Sequence, residues 1–199
     1  MHLLAREQPQ SLLAYGTAAA IAWCRWLADN AGRDGLTMSE VQVRTASSDD
    51  VEAARALTNR SWLATYAPLI GEETTRDIIK TRHASPLFAE QLANDDNTFL
   101  VALRANQIVG HCYAYPKHGT YIERLHVEPD LKGGGIGRAM LEHVEAQHEP
   151  VSRIWFEVLK GNDNAVAFYE RTGFTFEQQT GLEDGLANVP ALIFSKILN

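Results

Sequence analysis

Tyr121-Ile122-Glu123-Arg124-Leu125-His126-Val127, followed by Leu131-Lys132-Gly133-Gly134-Gly135-Ile136-Gly137-Arg138, is the stretch on which the fold turns. Its first half reads as a strand, with Ile122, Arg124 and His126 on one side and Glu123, Leu125 and Val127 on the other. The glycines lead into a helix over Arg138 to Gln147, with Ile136, Met140, Leu141 and Val144 on one apolar stripe. A further strand spans Arg153 to Leu159. Strand, tight turn, helix and strand make a crossover unit, and crossovers join parallel strands.

Upstream, Val41 to Arg44 alternates as a strand, and Ser47 with Asp50 three residues on forms a capping-box-like helix start. Val51, Ala54, Leu57, Ser61 and Trp62 then recur at helical spacing. Gly71 breaks the chain, Glu72 to Thr81 and Pro86 to Ala93 read as helices, and Asn94 to Asn97 as a turn. Thr98 to Leu103 and Ile108 to Tyr115 form a hairpin through Arg104-Ala105-Asn106-Gln107. Downstream, Asn162 to Thr172 is a helix with Gly173 at C′, and strands follow at Phe174 to Thr180 and Val189 to Ile197. The expected fold class is α/β, with a mixed, mostly antiparallel central sheet flanked by helices.

Residues 1–37 differ from the rest. They carry three basic and three acidic side chains, so the net charge of −7 lies entirely in 38–199. Ser11 to Ala28 is Ala-rich and suits a helix by propensity, and Asp29 to Gly35 is a breaker cluster. We therefore read 1–37 as an N-terminal helical extension and 38–199 as the functional domain, with Met38 at the boundary as an alternative start.

The chain has 199 residues, 45% hydrophobic and 22% charged, close to the averages for folded globular proteins. Eighteen basic against 25 acidic residues argue against a partner held by phosphate neutralisation along a nucleic acid. Cys24 and Cys112 fit neither a disulfide framework nor a metal motif, and a reducing cytoplasm is the simplest compartment. The longest apolar stretch, Leu12 to Cys24, falls short of the roughly 20 residues that span a bilayer, so no membrane partner is expected. His111, His126, His143 and His148 show no ligand spacing, and no metal is expected.

A glycine-rich turn from strand to helix lets main-chain N–H groups approach an oxyanion, and the helix N-terminus adds unpaired donors. Arg138-Ala139 after Gly137 excludes a Walker A loop, and the absent third glycine excludes the dinucleotide fingerprint. Leu125-His126-Val127-Glu128-Pro129-Asp130, with Lys132-Gly133-Gly134-Gly135-Ile136-Gly137-Arg138-Ala139-Met140-Leu141, resembles the acetyl-CoA pyrophosphate motif of the GCN5-related N-acetyltransferase (GNAT) family. Lys132 stands where that motif usually has Gln or Arg. Asn162-Asp163-Asn164-Ala165-Val166-Ala167-Phe168-Tyr169-Glu170-Arg171-Thr172-Gly173-Phe174 is similar to the family helix beside the CoA arm, and Ser61 to Tyr66 is similar to its first helix.

The resemblance implies an acetyl-CoA-dependent N-acetyltransferase in which a primary amine attacks the thioester directly in a ternary complex. By position it gives the cofactor Leu125, His126 and Val127, the 132–138 turn (Lys132, Gly133, Gly134, Gly135, Ile136, Gly137 and Arg138) and Asn162 or Asn164. Tyr169 falls where many members place the acid for the departing thiolate. Two carboxylates compete as base: Glu157, which interrupts an apolar strand, and Glu123, which shares the face of Leu125 and Val127. Trp62 and Tyr66, four apart on a helix, are candidates to line the acceptor site. The acceptor is then a small-molecule or peptide amine, the acidic balance favours cationic ones such as polyamines, and a homodimer is allowed. The alternative is a non-catalytic CoA-binding sensor, which keeps the glycines and Asn162 but needs no acid or base.

Overall fold

The computed structural model describes residues 41–147, 152–181 and 190–198, so the expected N-terminal helix and the boundary near Met38 lie outside the described residues. Seven strands form one sheet in the order β1-β2-β3-β4-β5-β7-β6. They are β1 (Gln42–Thr45), β2 (Thr98–Arg104), β3 (Gln107–Pro116), β4 (Thr120–Val127), β5 (Arg153–Leu159), β6 (Thr175–Gly181) and β7 (Pro190–Ile197). Every pairing is antiparallel except β4 with β5, which the crossover through the glycine turn makes parallel. The helices are α1 (Val51–Ile70), α2 (Glu72–Arg82), α3 (Ser85–Ala93), α4 (Ile136–Glu145) and α5 (Asp163–Arg171).

The entry to α1 forms as the sequence implies. Ser47 donates its N–H and hydroxyl to Asp50 Oδ2 at 2.7 and 2.8 Å, and Arg44 grips the same carboxylate with both terminal nitrogens. These donors hold the Asp50 carboxyl well below the usual carboxylate range, the Arg44 hydrogen bond foremost. Ala105 and Asn106 both have positive φ, 49° and 61°, so a two-residue turn matches the twist of β2 and β3.

Two apolar layers cover the sheet. On one face α4 contributes Ile136, Met140, Leu141 and Val144, the expected stripe, and packs with Leu100, Cys112, Ala114, Ile122 and Phe156. Gly110 of β3 admits this close approach, since a Cβ there would stand 2.8 Å from Met140 Cε and 3.0 Å from Ile136 Cγ2. On the other face Val51 and Ala54 of α1 and Phe88 of α3 meet Phe99, Val101 and Tyr113. Each large apolar side chain buried this way contributes roughly 1.5–3 kcal/mol. Among the described residues no helix is long and apolar enough to cross a membrane.

Candidate active site

Parallel pairing of β4 with β5 stops after two residue pairs, Thr120 with Ile154 and Tyr121 with Trp155. Beyond Tyr121 the strands diverge, and a cleft of about 1050 Å³ occupies the gap. Its walls are Tyr121 to Val127 of β4, Phe156 to Leu159 of β5, the glycine turn, the start of α5 and part of α1.

A bulge in β4 shapes this cleft and corrects the expected alternation. Tyr113 of β3 pairs with Arg124 and Ala114 with Ile122, so Glu123 is the extra residue with no partner in the ladder. One added residue inverts the faces on either side of it. Ile122 therefore joins Leu125 and Val127 over the α4 layer, while Arg124 lies over the Phe88 and Tyr113 rings on the α1 side. Glu123 sits at the bulge, one-third exposed, and its Oε1 is 3.2 Å from Arg124 Nη1, so it does not share the regular face of Leu125 and Val127. Arg124 itself is buried and donates through Nη2 to Gln91.

The glycine turn lies at the wide end. Gly133 and Gly135 adopt left-handed φ of 84° and 81°, and a Cβ at either would meet nothing within 4 Å. Sterics against neighbours thus do not explain these two glycines, while their backbone conformation and an open concavity do. Ile136, Gly137 and Arg138 are the first residues of α4, so their N–H groups lack helical acceptors. Gly137 has a packing role as well, since its Cβ position is 3.4 Å from Phe168 of α5. Arg138 Nε pairs with Glu142 along α4 at 2.7 Å. The residues present fit a diphosphate: free main-chain donors, a positive helix end and an unfilled hollow.

Helix α1 bridges the two diverging strands. Arg60 pairs with Glu128, Ser61 Oγ lies 3.1 Å from His126 Nδ1, and Lys132 Nζ donates to Thr65 Oγ1 at 3.1 Å, all on the β4 side. On the β5 side Asn162 Nδ2 donates to the Tyr66 hydroxyl at 3.4 Å, while Asn162 Oδ1 caps α5 by accepting the Ala165 N–H. Burial lowers the Lys132 ammonium and raises the Tyr66 phenol. Tyr66 therefore stands by Asn162, at the proposed cofactor arm, and Trp62 packs on it at 4.4 Å between centroids. Asn164 is exposed and lines both the cleft and a smaller adjoining pocket of about 360 Å³ with Thr65 and Lys132.

Tyr169 is buried, stacks on Phe156 at 3.6 Å and lines the cleft; burial holds its phenol well above the ordinary value, so it carries its proton at neutral pH. Glu157 is half-buried and accepts the Tyr121 hydroxyl at 3.2 Å. Burial first, and Glu157 second, push the Tyr121 phenol up. The cleft thus gathers Tyr169, Glu157, Glu123, the glycine turn, Asn162, Asn164, Trp62 and Tyr66 into one site.

Sequence reading missed several wall residues: Tyr115, Lys117 and Tyr121 at the closed apex of the cleft, and Ser61, Arg82 and His83 along the α1 and α2 side. Tyr121, at the head of the quoted strand, and Ser61, in the segment similar to the family's first helix, carried a signal; the others did not. His83 Nδ1 donates to Asn59 Oδ1 at 2.8 Å; the ring packs edge-on against Trp62 and is lowered to about 3, by burial first and then by Arg124, Arg82 and Arg55. His126 is likewise held well below its ordinary value, chiefly by burial. Among the described residues no cluster of three or more His, Cys, Asp or Glu could hold a metal ion.

Residues 58–174, more than half the chain, match the family model described as Acetyltransferase (GNAT) family. The chain belongs to this family. A mycothiol acetyltransferase of Streptomyces coelicolor is 33% identical over 143 residues, covering 67% of this chain and 42% of that protein. The chain thus spans less than half the length of that relative. A ribosomal-protein-alanine N-acetyltransferase structure from Brucella melitensis is 28% identical, with a TM-score of 0.61 over 79% of this chain and 99% of that one. PaiA N-acetyltransferase of Thermoplasma acidophilum, solved in complex with coenzyme A, shares the fold at a TM-score of 0.71 and 21% identity, covering 79% and 99%.

Proposed function

We propose that this GNAT-family chain transfers an acetyl group from acetyl-CoA to a primary amine by direct attack in a ternary complex. The observation that carries the reading is the divergence of β4 and β5 beyond Tyr121 and Trp155, which opens a main-chain-lined slot ending at the glycine turn. Gly133 to Arg138 hold the diphosphate through main-chain N–H groups, with Lys132 as a point charge beside it. The main chain of Leu125, His126 and Val127, released from ladder pairing on the β5 side, binds the amides of the pantetheine arm, and Asn162 or Asn164 flanks it opposite.

The bulge leaves Glu123 out of the β3 ladder at the cleft wall, and a main-chain N–H there polarises the thioester carbonyl. Glu157 takes the proton released by the amine, directly or through Tyr121; Glu123, tied to Arg124, is the second base candidate. Tyr169 returns a proton to the departing sulfur; burial keeps the phenol protonated, and its place on the cleft wall brings it to the site. The functional domain comprises residues 38–199.

The test combines calorimetry with acetyl-CoA and release of free thiol across an amine panel. A binding heat with thiol release supports the reading; binding without release for any amine supports the sensor alternative; no heat with folded protein overturns both. Deleting residues 1–37 and retaining the heat supports the domain assignment.

A further inference from the structure

The narrow apex of the cleft carries charges of both signs within a short span. Glu157 and Glu123 line it, and Tyr121, whose hydroxyl bonds Glu157, has the Lys117 ammonium over its ring at 5.1 Å. Lys117 also lies 5.4 Å from the centre of the Trp155 ring. One phenol ring therefore separates a carboxylate from an ammonium. Arg82, at the end of α2, lines the same cleft, and buried Arg124 lies beneath it between Phe88 and Tyr113. Arg82 thus sets a cation on the α2 wall of the cleft, while the Arg124 charge is shared with Glu123. A polyamine would meet Lys117 and Arg82 with its second cation, at a like-charge cost. A compact acceptor with an anionic oxygen near its amine meets opposite charges at both ends.

Resting on the N-acetyltransferase reading, we propose that the apex selects amines bearing a carboxylate a few bonds from the nitrogen. The amine faces Glu157, and the carboxylate faces Lys117 and Arg82. Both basic residues already have protein partners, so the acceptor joins an existing network. This choice of substrate departs from what the net charge of −7 suggests, because two or three side chains at short range outweigh a screened global field.

The test uses acceptor pairs that differ only in the carboxylate, alanine against ethylamine and phenylalanine against phenethylamine, each with saturating acetyl-CoA. The corresponding N-acetylated compounds are titrated into CoA-loaded protein by calorimetry. The expected result is about tenfold or greater preference for the carboxylate member of at least one pair, the size of one charge-assisted contact. Lys117→Gln with Arg82→Gln brings the pairs to within about twofold, through KM or Kd, and Lys117→Glu reverses the order. Alanine methylamide, which keeps the carbonyl but not the charge, follows ethylamine. Equal use or binding of the paired compounds, no binding of any N-acetylated probe, undiminished preference in the Lys117 variants, or methylamide matching alanine would each overturn the proposal. Heat on binding acetyl-CoA is recorded separately, so loss of the parent reading is distinguished from loss of this one.

Discussion

Gly119 and Gly135 are both left-handed glycines in turns flanking β4, yet they answer to different physics. Gly119, at φ 106°, is jammed: a Cβ there would stand 2.3 Å from the carbonyl oxygen of Arg153 on β5. Gly135, at φ 81°, faces open space. The first closes the apex, where Lys117 N–H also donates to Gly119 O at 2.8 Å and Trp155 Nε1 donates to Lys117 O at 2.6 Å. The second begins a helix whose leading N–H groups have no acceptor within the helix itself. A neighbour's backbone accounts for the first glycine, whereas backbone conformation alone, at the start of a helix, accounts for the second.

The largest effect should come from Gly119→Val. Both the contact with Arg153 O and the backbone region oppose it, so more than about 4 kcal/mol is lost and Tm falls by about 10 °C or more, measured by thermal unfolding. A Tm within 3 °C of the parent would erase the contrast between the two turns. Gly135→Val should remain folded, with strain of about 1–2 kcal/mol, while the heat of acetyl-CoA binding disappears. Retained affinity would show that the open turn is not the diphosphate cradle.

Between the turns, Tyr169→Phe should lower kcat by about 10- to 100-fold with Kd for acetyl-CoA nearly unchanged, read by steady-state kinetics and calorimetry. Unchanged kcat would reduce Tyr169 to packing on Phe156. The last effect comes from acid and not from a substitution. His83 and His111, both on the α1 side of the sheet, have folded values of about 3 against an ordinary 6.5, mainly through burial. The unfolded chain therefore binds more protons below 6.5, and stability that is full above that value is lost as pH falls toward 3. The slope is up to about 1.4 kcal/mol per pH unit for each histidine. Urea unfolding between pH 4 and 7 measures it, and a flat profile across that window would contradict the burial of these rings.

Much of the site could be read directly. The glycine turn follows from local spacing, Asn162 and Tyr169 from the likeness of 162–174 to the family helix and Glu157 from its interruption of an apolar strand, and all of them line one cleft. The α4 stripe and the parallel crossover also follow from local spacing. The alternation of β4 was misread because a bulge depends on the register with β3: nothing within Tyr121 to Val127 marks Glu123 as the extra residue, and only pairing of Tyr113 with Arg124 does. Tyr66 lines the cleft with Trp62, and its bond with Asn162, 96 residues away, is one that no local pattern announces.

Sequence by itself determined the class of fold, the order of its elements and the glycine turn from strand to helix, since these depend on periodicity, capping and glycine conformation within short windows. Tertiary structure alone decided how wide β4 and β5 open, which way Arg124 faces, and that Lys117, Arg82 and Glu157 border one cleft. Those outcomes arise from contacts between residues separated by tens of positions, where long-range packing and register, not local preference, fix the geometry.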